Sequence, residues 1–173
     1  MVPKLRTLLA YYIGDIVYGA NDGIITTFAV ISGAAGAGFP ATIIIVLGIA
    51  NLIADGFSMG ASKYLSLQSE QSLETARSET RKPFTDGLVT FISFVIIGAL
   101  PLIPFFVQSF DEHTFLVSSI ATAVTLFLVG SARSLVIKKN AFIAGLEMLA
   151  VGGVAAAIAY GLGSYVHTII SSL

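Results

Sequence analysis

The sequence predicts an all-α integral membrane protein, a bundle of five transmembrane helices, and two observations carry that expectation. Of the 173 residues, 55% are hydrophobic and only 11% charged, against about 25% charged in a soluble domain; the mean hydropathy is +0.90. The apolar residues also fall into five runs, each near the roughly 20 residues that cross a bilayer as a helix. Open strands would leave backbone groups unpaired in hydrocarbon, so the runs are read as helices.

The runs cover residues 8–35, 41–62, 86–107, 114–137 and 141–169. Residues 1–7 are too short a polar start for a cleaved signal, so the first run is expected to stay as a signal-anchor. Residues 36–40 (G-A-G-F-P) form a tight Gly/Pro turn into the second run. Residues 63–85 are the one long polar connection. Pro101 and Pro104 are expected to bend or end the third helix, since proline has no N–H to donate. Residues 108–113 make a short acidic link and residues 138–140 a brief basic turn before the fifth run. The whole chain, residues 1–173, reads as a single five-helix transmembrane domain.

Basic residues set the expected topology. Lys4 and Arg6 precede the first run; Lys63, Arg77, Arg81 and Lys82 lie between the second and third; Arg133, Lys138 and Lys139 join the fourth and fifth. These are all nine Lys and Arg residues. The positive-inside rule then places the N-terminus in the cytoplasm and the C-terminus outside or in a lumen. No basic stripe is available for a nucleic-acid partner. The absence of Cys excludes disulfides, thiolate metal sites and thiol nucleophiles.

Four acids, Asp15, Asp22, Asp55 and Glu147, stand inside these apolar runs. A carboxylate in a bilayer costs several kcal/mol unless it faces protein or a wet cavity, which points to ion or proton handling. With a rise of 1.5 Å per residue, Asp15 lies about 6 Å and Asp22 about 16 Å from the cytoplasmic edge. On the returning helix Met59 lies about 6 Å deep, Asp55 about 12 Å and Asn51 about 18 Å; Glu147 lies about 9 Å along the fifth. The spacing places Asp15 and Asp22 on one helix face, and Asn51, Asp55 and Met59 on another. The set reads as the lining of a cavity entered from the cytoplasm. G-x-x-x-G steps at Gly19–Gly23 and Gly56–Gly60 suggest that the two acid-bearing helices share an interface.

Carboxylates, an amide and one thioether suit a divalent cation: oxygen alone fits Mg²⁺, Ca²⁺ or Mn²⁺, and the Met59 sulfur shifts the preference toward Fe²⁺ or another transition ion. A carboxylate that takes up a proton when the metal leaves gives a route to metal/proton exchange. Each residue keeps a second reading. Met59 also serves as a gap-filler, Asp22 and Asp55 as partners of neighbouring amides, Asp15 as a solvated helix end, and Glu147 as a structural group. Glu70 and Glu74, four apart on a helical extension, collect cations weakly or form a solvated face. Asp111, Glu112 and His113 form an exit-side loop of the same two readings.

The run D-I-V-Y-G-A-N-D-G-I-I-T-T-F-A-V-I-S-G from Asp15 to Gly33 resembles the first-span signature of the vacuolar iron transporter family. G-I-A-N-L-I-A-D-G-F-S-M-G-A-S-K-Y-L-S, from Gly48 to Ser66, is similar to its second-span signature, and G-L-E-M-L-A-V-G-G from Gly145 to the fifth. The resemblance implies a five-helix homodimer that moves Fe²⁺, often Mn²⁺, out of the cytoplasm in exchange for protons. It places the pathway at the dimer interface, lined by the first two helices of each subunit. The family's first-span aspartate falls on Asp22 and its second-span methionine on Met59. Its glutamate eight positions before that methionine is Asn51 here, with Asp55 available to supply the missing charge. The family's long glutamate-rich cytoplasmic domain is replaced by residues 63–85, as in short nodulin-like or prokaryotic members. The host is then a prokaryotic cell membrane or a eukaryotic vacuolar or other endomembrane. The metal is cargo, and no cofactor is implied.

Two other readings compete. One is a proton-coupled carrier or a channel for another solute. The other is an intramembrane aspartyl protease, for which two membrane aspartates are the minimum. Its Y-D and G-x-G-D sequences do not occur, nor does H-E-x-x-H. An enzyme is therefore not expected.

Overall fold

The computed structural model of the chain describes residues 2–72, 82–107, 113–134 and 139–172, residues 2–10 by their backbone alone. Its regular structure is all helical: α1 (Val2–Gly36), α2 (Ala41–Ser72), α3 (Pro83–Gly98), a 3-10 segment (Leu100–Phe106), α4 (Thr114–Arg133) and α5 (Ala141–Ser171). The expected Gly/Pro turn joins α1 to α2. Ala37 N donates to Gly33 O at 3.0 Å and Phe39 N to Ala34 O at 2.9 Å. Gly38 sits at φ +71°, a left-handed conformation that suits glycine.

Helix ends differ from the apolar runs where polarity and helicity part company. α2 continues past residue 62 to Ser72, because K-Y-L-S-L-Q-S-E-Q-S contains neither Gly nor Pro to stop it. Ser69 and Ser72 donate back to Leu65 O and Gln68 O at 2.9 Å. The first part of the polar connection after Ser62 is thus the expected helical extension, carrying Glu70; Glu74, Glu79, Asp111 and Glu112 lie outside the described residues. α3 starts earlier than its apolar run, at Pro83, whose missing N–H is harmless in a first turn. It stops at Gly98, and Pro101 and Pro104 convert the rest of the run into the 3-10 segment, as expected. Asn140 caps α5 by accepting from Phe142 N at 2.8 Å.

α1 is the hub and packs against every other helix. Gly19 and Gly23 lie against the backbones of Thr90 and Phe94 in α3, while Gly33 and Gly36 lie against Ala159 and Tyr160 in α5. These contacts make α1, α3 and α5 run the same way, with α2 and α4 returning. The glycine steps do not join α1 to α2 directly, contrary to the sequence expectation. Gly56 and Gly60 also seat on α3, against Phe91, Phe94 and Gly87. A residue without a side chain goes where backbones are closest, and here both helices approach α3. The carboxylate-bearing faces are left to the side of these seams.

Two apolar clusters fill the bundle, one around Ile24, Leu126 and Met148, the other around Phe28, Ile31, Phe94 and Leu102. Phe115 stacks between Phe28 and Tyr160, with ring centroids 6.2 and 5.9 Å away. Outward, α2 to α5 expose large aliphatic side chains such as Val46, Ile96, Leu128 and Val151, a surface suited to lipid and not to water. Four helical stretches among the described residues are long and apolar enough to cross a membrane: Ala41–Ser72, Pro83–Phe106, Thr114–Arg133 and Ala141–Ser171. α1, which carries Asp15, Asn21 and Asp22, is not one of them. The chain is an integral membrane protein.

Candidate functional site

Asp22, Asp55 and Met59 line one pocket of about 560 Å³ on the α1–α2 face. α1 contributes Tyr18 and Asp22. α2 contributes Asp55, Met59 and Lys63, with the hydroxyls of Ser58, Ser62 and Ser66 between them. The α2 residues recur at intervals of three and four, so one polar stripe follows a single face of the helix. Asp55, Ser58, Ser62 and Ser66 are exposed on that stripe, whereas Asp22 is half-buried and close enough to feel the charge of Asp55. Met59 faces both ways: it lines the pocket and packs against the Phe28–Phe94 cluster.

The other candidates separate from this group. Asn51 is not among the lining residues, and its buried Nδ2 has no hydrogen-bond partner among the described residues. Asp15 is not a solvated helix end. Its side chain is 5% exposed and forms an ion pair with Lys63, Nζ to Oδ1 at 2.8 Å. Glu147 also lies outside the pocket lining, held by Lys139 Nζ at 2.8 and 3.1 Å from its two oxygens, at the base of α5. Glu70 is exposed and accepts from Ser66 Oγ at 3.4 Å. His113 is exposed at the start of α4.

Sequence reasoning missed two groups. Lys63 counted only as a marker of topology, yet it lines the pocket and grips Asp15. Its four-residue step from Met59 was the available signal. Asp86 stood at the edge of an apolar run, yet it is fully buried in the first turn of α3. The early start at Pro83 is what carries it inside.

Chemically, the pocket offers two carboxylates, a thioether and hydroxyls, a donor set for a divalent ion of intermediate hardness. Among the described residues, no group of three or more His, Cys, Asp or Glu side chains is close enough to hold a metal. A single copy thus brings two acids to the pocket, and further donors have to come from hydroxyls, water or a second molecule.

Comparison with known proteins identifies the family. The family model of the VIT family matches residues 13–82 and 72–164, nearly the whole chain. A vacuolar iron transporter of Toxoplasma gondii is 23% identical, covering 93% of this chain and 76% of its own length. That of Plasmodium falciparum is 25% identical, with 90% and 82% covered. An uncharacterised protein of Methanocaldococcus jannaschii is 34% identical over 163 residues, 83% of each chain. The Toxoplasma alignment spans 230 positions, more than the 173 residues present here, so that relative carries inserted residues. With the motifs of α1 and α2 matched and the chain covered almost end to end, this protein belongs to the VIT family, the family of the vacuolar iron transporters.

Proposed function

We propose that the protein is a divalent transition-metal transporter that moves Fe²⁺ or Mn²⁺ out of the cytoplasm in exchange for protons. The observation that carries this reading is the convergence of Asp22, Asp55 and Met59 on one pocket. In this reading all three are ligands, α1 is the fifth membrane span, and the N-terminus is cytoplasmic. α1 tolerates its acids because four neighbouring helices surround it. Lys63, Lys82, Arg133 and Lys139 all sit at the end of the bundle opposite the 36–40 turn, which the positive-inside rule assigns to the cytoplasm.

A homodimer with the pathway between its subunits completes the picture. Asp55, Ser58, Ser62 and Ser66 are exposed on a helix whose other outward residues, Val46, Ile49, Ile53 and Phe57, suit lipid. Polar groups turned to hydrocarbon are costly, and a second copy applied to this face would cover them and double the ligand set. Exchange for protons follows from the same acids, which hold a proton or a metal ion in turn. Asn51 is a secondary ligand beyond Asp55. Asp15 and Glu147 are relay or supporting groups, and Glu70 and Glu74 are candidates for weak cation collection on the cytoplasmic side.

Proteoliposomes loaded with a pH gradient test the reading, with Fe²⁺, Mn²⁺, Co²⁺ and Zn²⁺ supplied in competition. Metal flux coupled to proton movement is the expected result. Metal flux without proton movement points to a channel, and transport intact in Asp22→Ala removes Asp22 from the site.

A further inference from the structure

Lys63 is a positive charge in the wall of a pocket that is otherwise acidic. Its ammonium is 2.8 Å from Asp15 Oδ1, and the lysine side chain is 26% exposed while the aspartate is 5% exposed. Along α2, Lys63 stands one turn, about 6 Å, from Met59 on the side of the basic end of the bundle. Asp15 stands about 10 Å below Asp22 along α1. The ion pair therefore spans α1 and α2 at the inner end of the pocket.

We propose that Lys63 sets the charge of the metal pocket and that Asp15 holds it back from the ligands. This rests on the metal-transport reading above. Lysine is a flexible stem with a compact charge, and Lys63 already lines the same pocket as Asp22 and Asp55. Tethered to Asp15, its ammonium weakens the pull of the acids on a divalent ion, so that the ion is released as well as bound. Freed from Asp15, it turns to the two remaining carboxylates and competes with the metal as an internal cation. The two partners of one ion pair thus have opposite effects on metal affinity. A bridge that merely braces α1 against α2 has no such asymmetry, since loss of either partner then loosens the pocket in the same direction.

Titration of the full-length protein in nanodiscs with Mn²⁺, paired with Mn²⁺ flux in proteoliposomes, tests this. Lys63→Met is expected to bind Mn²⁺ about tenfold more tightly and to transport it more slowly, as release becomes limiting. Asp15→Asn is expected to bind about tenfold more weakly. The double variant is expected to bind like Lys63→Met, and Lys63→Arg like the parent. Affinity shifts of the same sign in the two single variants, or none in either, overturn the proposal while leaving the transport reading in place. Absence of Mn²⁺ binding by the parent protein removes both. A variant that elutes as aggregate is replaced by Lys63→Gln or Asp15→Ser, for which the same signs are required.

Discussion

The α1–α3 seam gives a prediction whose size follows from the coordinates. A Cβ placed on Gly23 would stand 2.5 Å from Phe94 O and 3.1 Å from its C and Cα. Ordinary contact begins near 3.4 Å, so the first of these is short by about 0.9 Å. The opposing atoms belong to the backbone and have no rotamer to change. Gly98 presses on the same place from α3, where its own Cβ would stand 2.8 Å from Gly23. Gly23→Ala therefore has to part the two helices by nearly an ångström. Overpacking of this kind costs about 1–3 kcal/mol, with the upper half of that range expected against backbone, partly offset by about 1 kcal/mol of helix propensity. Gly153→Ala is the matched control: it gains the same propensity, and nothing lies within 4 Å of its Cβ. The assay is the fraction of protein left in the size-exclusion peak after heating in detergent. Gly23→Ala should lose its peak at a lower temperature than the parent, and Gly153→Ala at the same or a higher one. Because Gly23 adjoins Asp22, metal flux should fall in the first variant only. If Gly23→Ala matches Gly153→Ala in both readings, the seam is not a tight contact and the packing argument fails.

Four further substitutions separate the site residues. Asp22→Asn and Asp55→Asn should each reduce Mn²⁺ flux at least tenfold without changing the elution profile, since each removes one of two charges facing the ion; normal flux in either removes that residue from the ligand set. Met59→Leu keeps the packing against the Phe28–Phe94 cluster but lacks the sulfur, so heat stability should hold while flux of Fe²⁺ falls more than that of Mn²⁺, and an equal fall for the two metals would reduce Met59 to a filler. Glu147→Gln loosens a pair that is 42% exposed on the acid and 51% on the lysine, and solvent-exposed pairs contribute little, so heat stability and transport should stay nearly unchanged, whereas loss of proton coupling would assign Glu147 to the relay.

The helices were legible because hydrocarbon length is written directly in apolar runs. Residues 41–62, 86–107 and 141–169 each fall largely within an observed helix. Their ends were less so, since a run reports where lipid stops and not where the helix stops. Hence α2 outlasts its run by ten residues, and α3 begins three residues before its own. Asp22 and Asp55 were legible together because depths counted along antiparallel neighbours come out close, about 16 and 12 Å, and Met59 joined them by its four-residue step from Asp55; the same count drew in Asn51, which does not line the pocket. Asp15 was misjudged on the same count. Depth along a helix says nothing about the side a residue faces, and only the structure shows it turned toward Lys63. The glycine steps show the same limit. Spacing marks a close approach without naming the partner, and for α1 and α2 alike that partner is α3.

The placement of α1 also bears on how the chain is made. This helix precedes the other described helices in the sequence and is not among those long and apolar enough to cross a membrane, with Asp15, Asn21 and Asp22 around its middle. The groups that shelter it arrive later: Lys63 in the second half of α2, Thr90 and Phe94 in α3, and Ala159 and Tyr160 in the second half of α5. Helices of membrane proteins insert singly and then associate, yet here α1 reaches its settled environment only once α5 has followed it. Truncation before α5 should therefore leave α1 exposed to quality-control proteolysis.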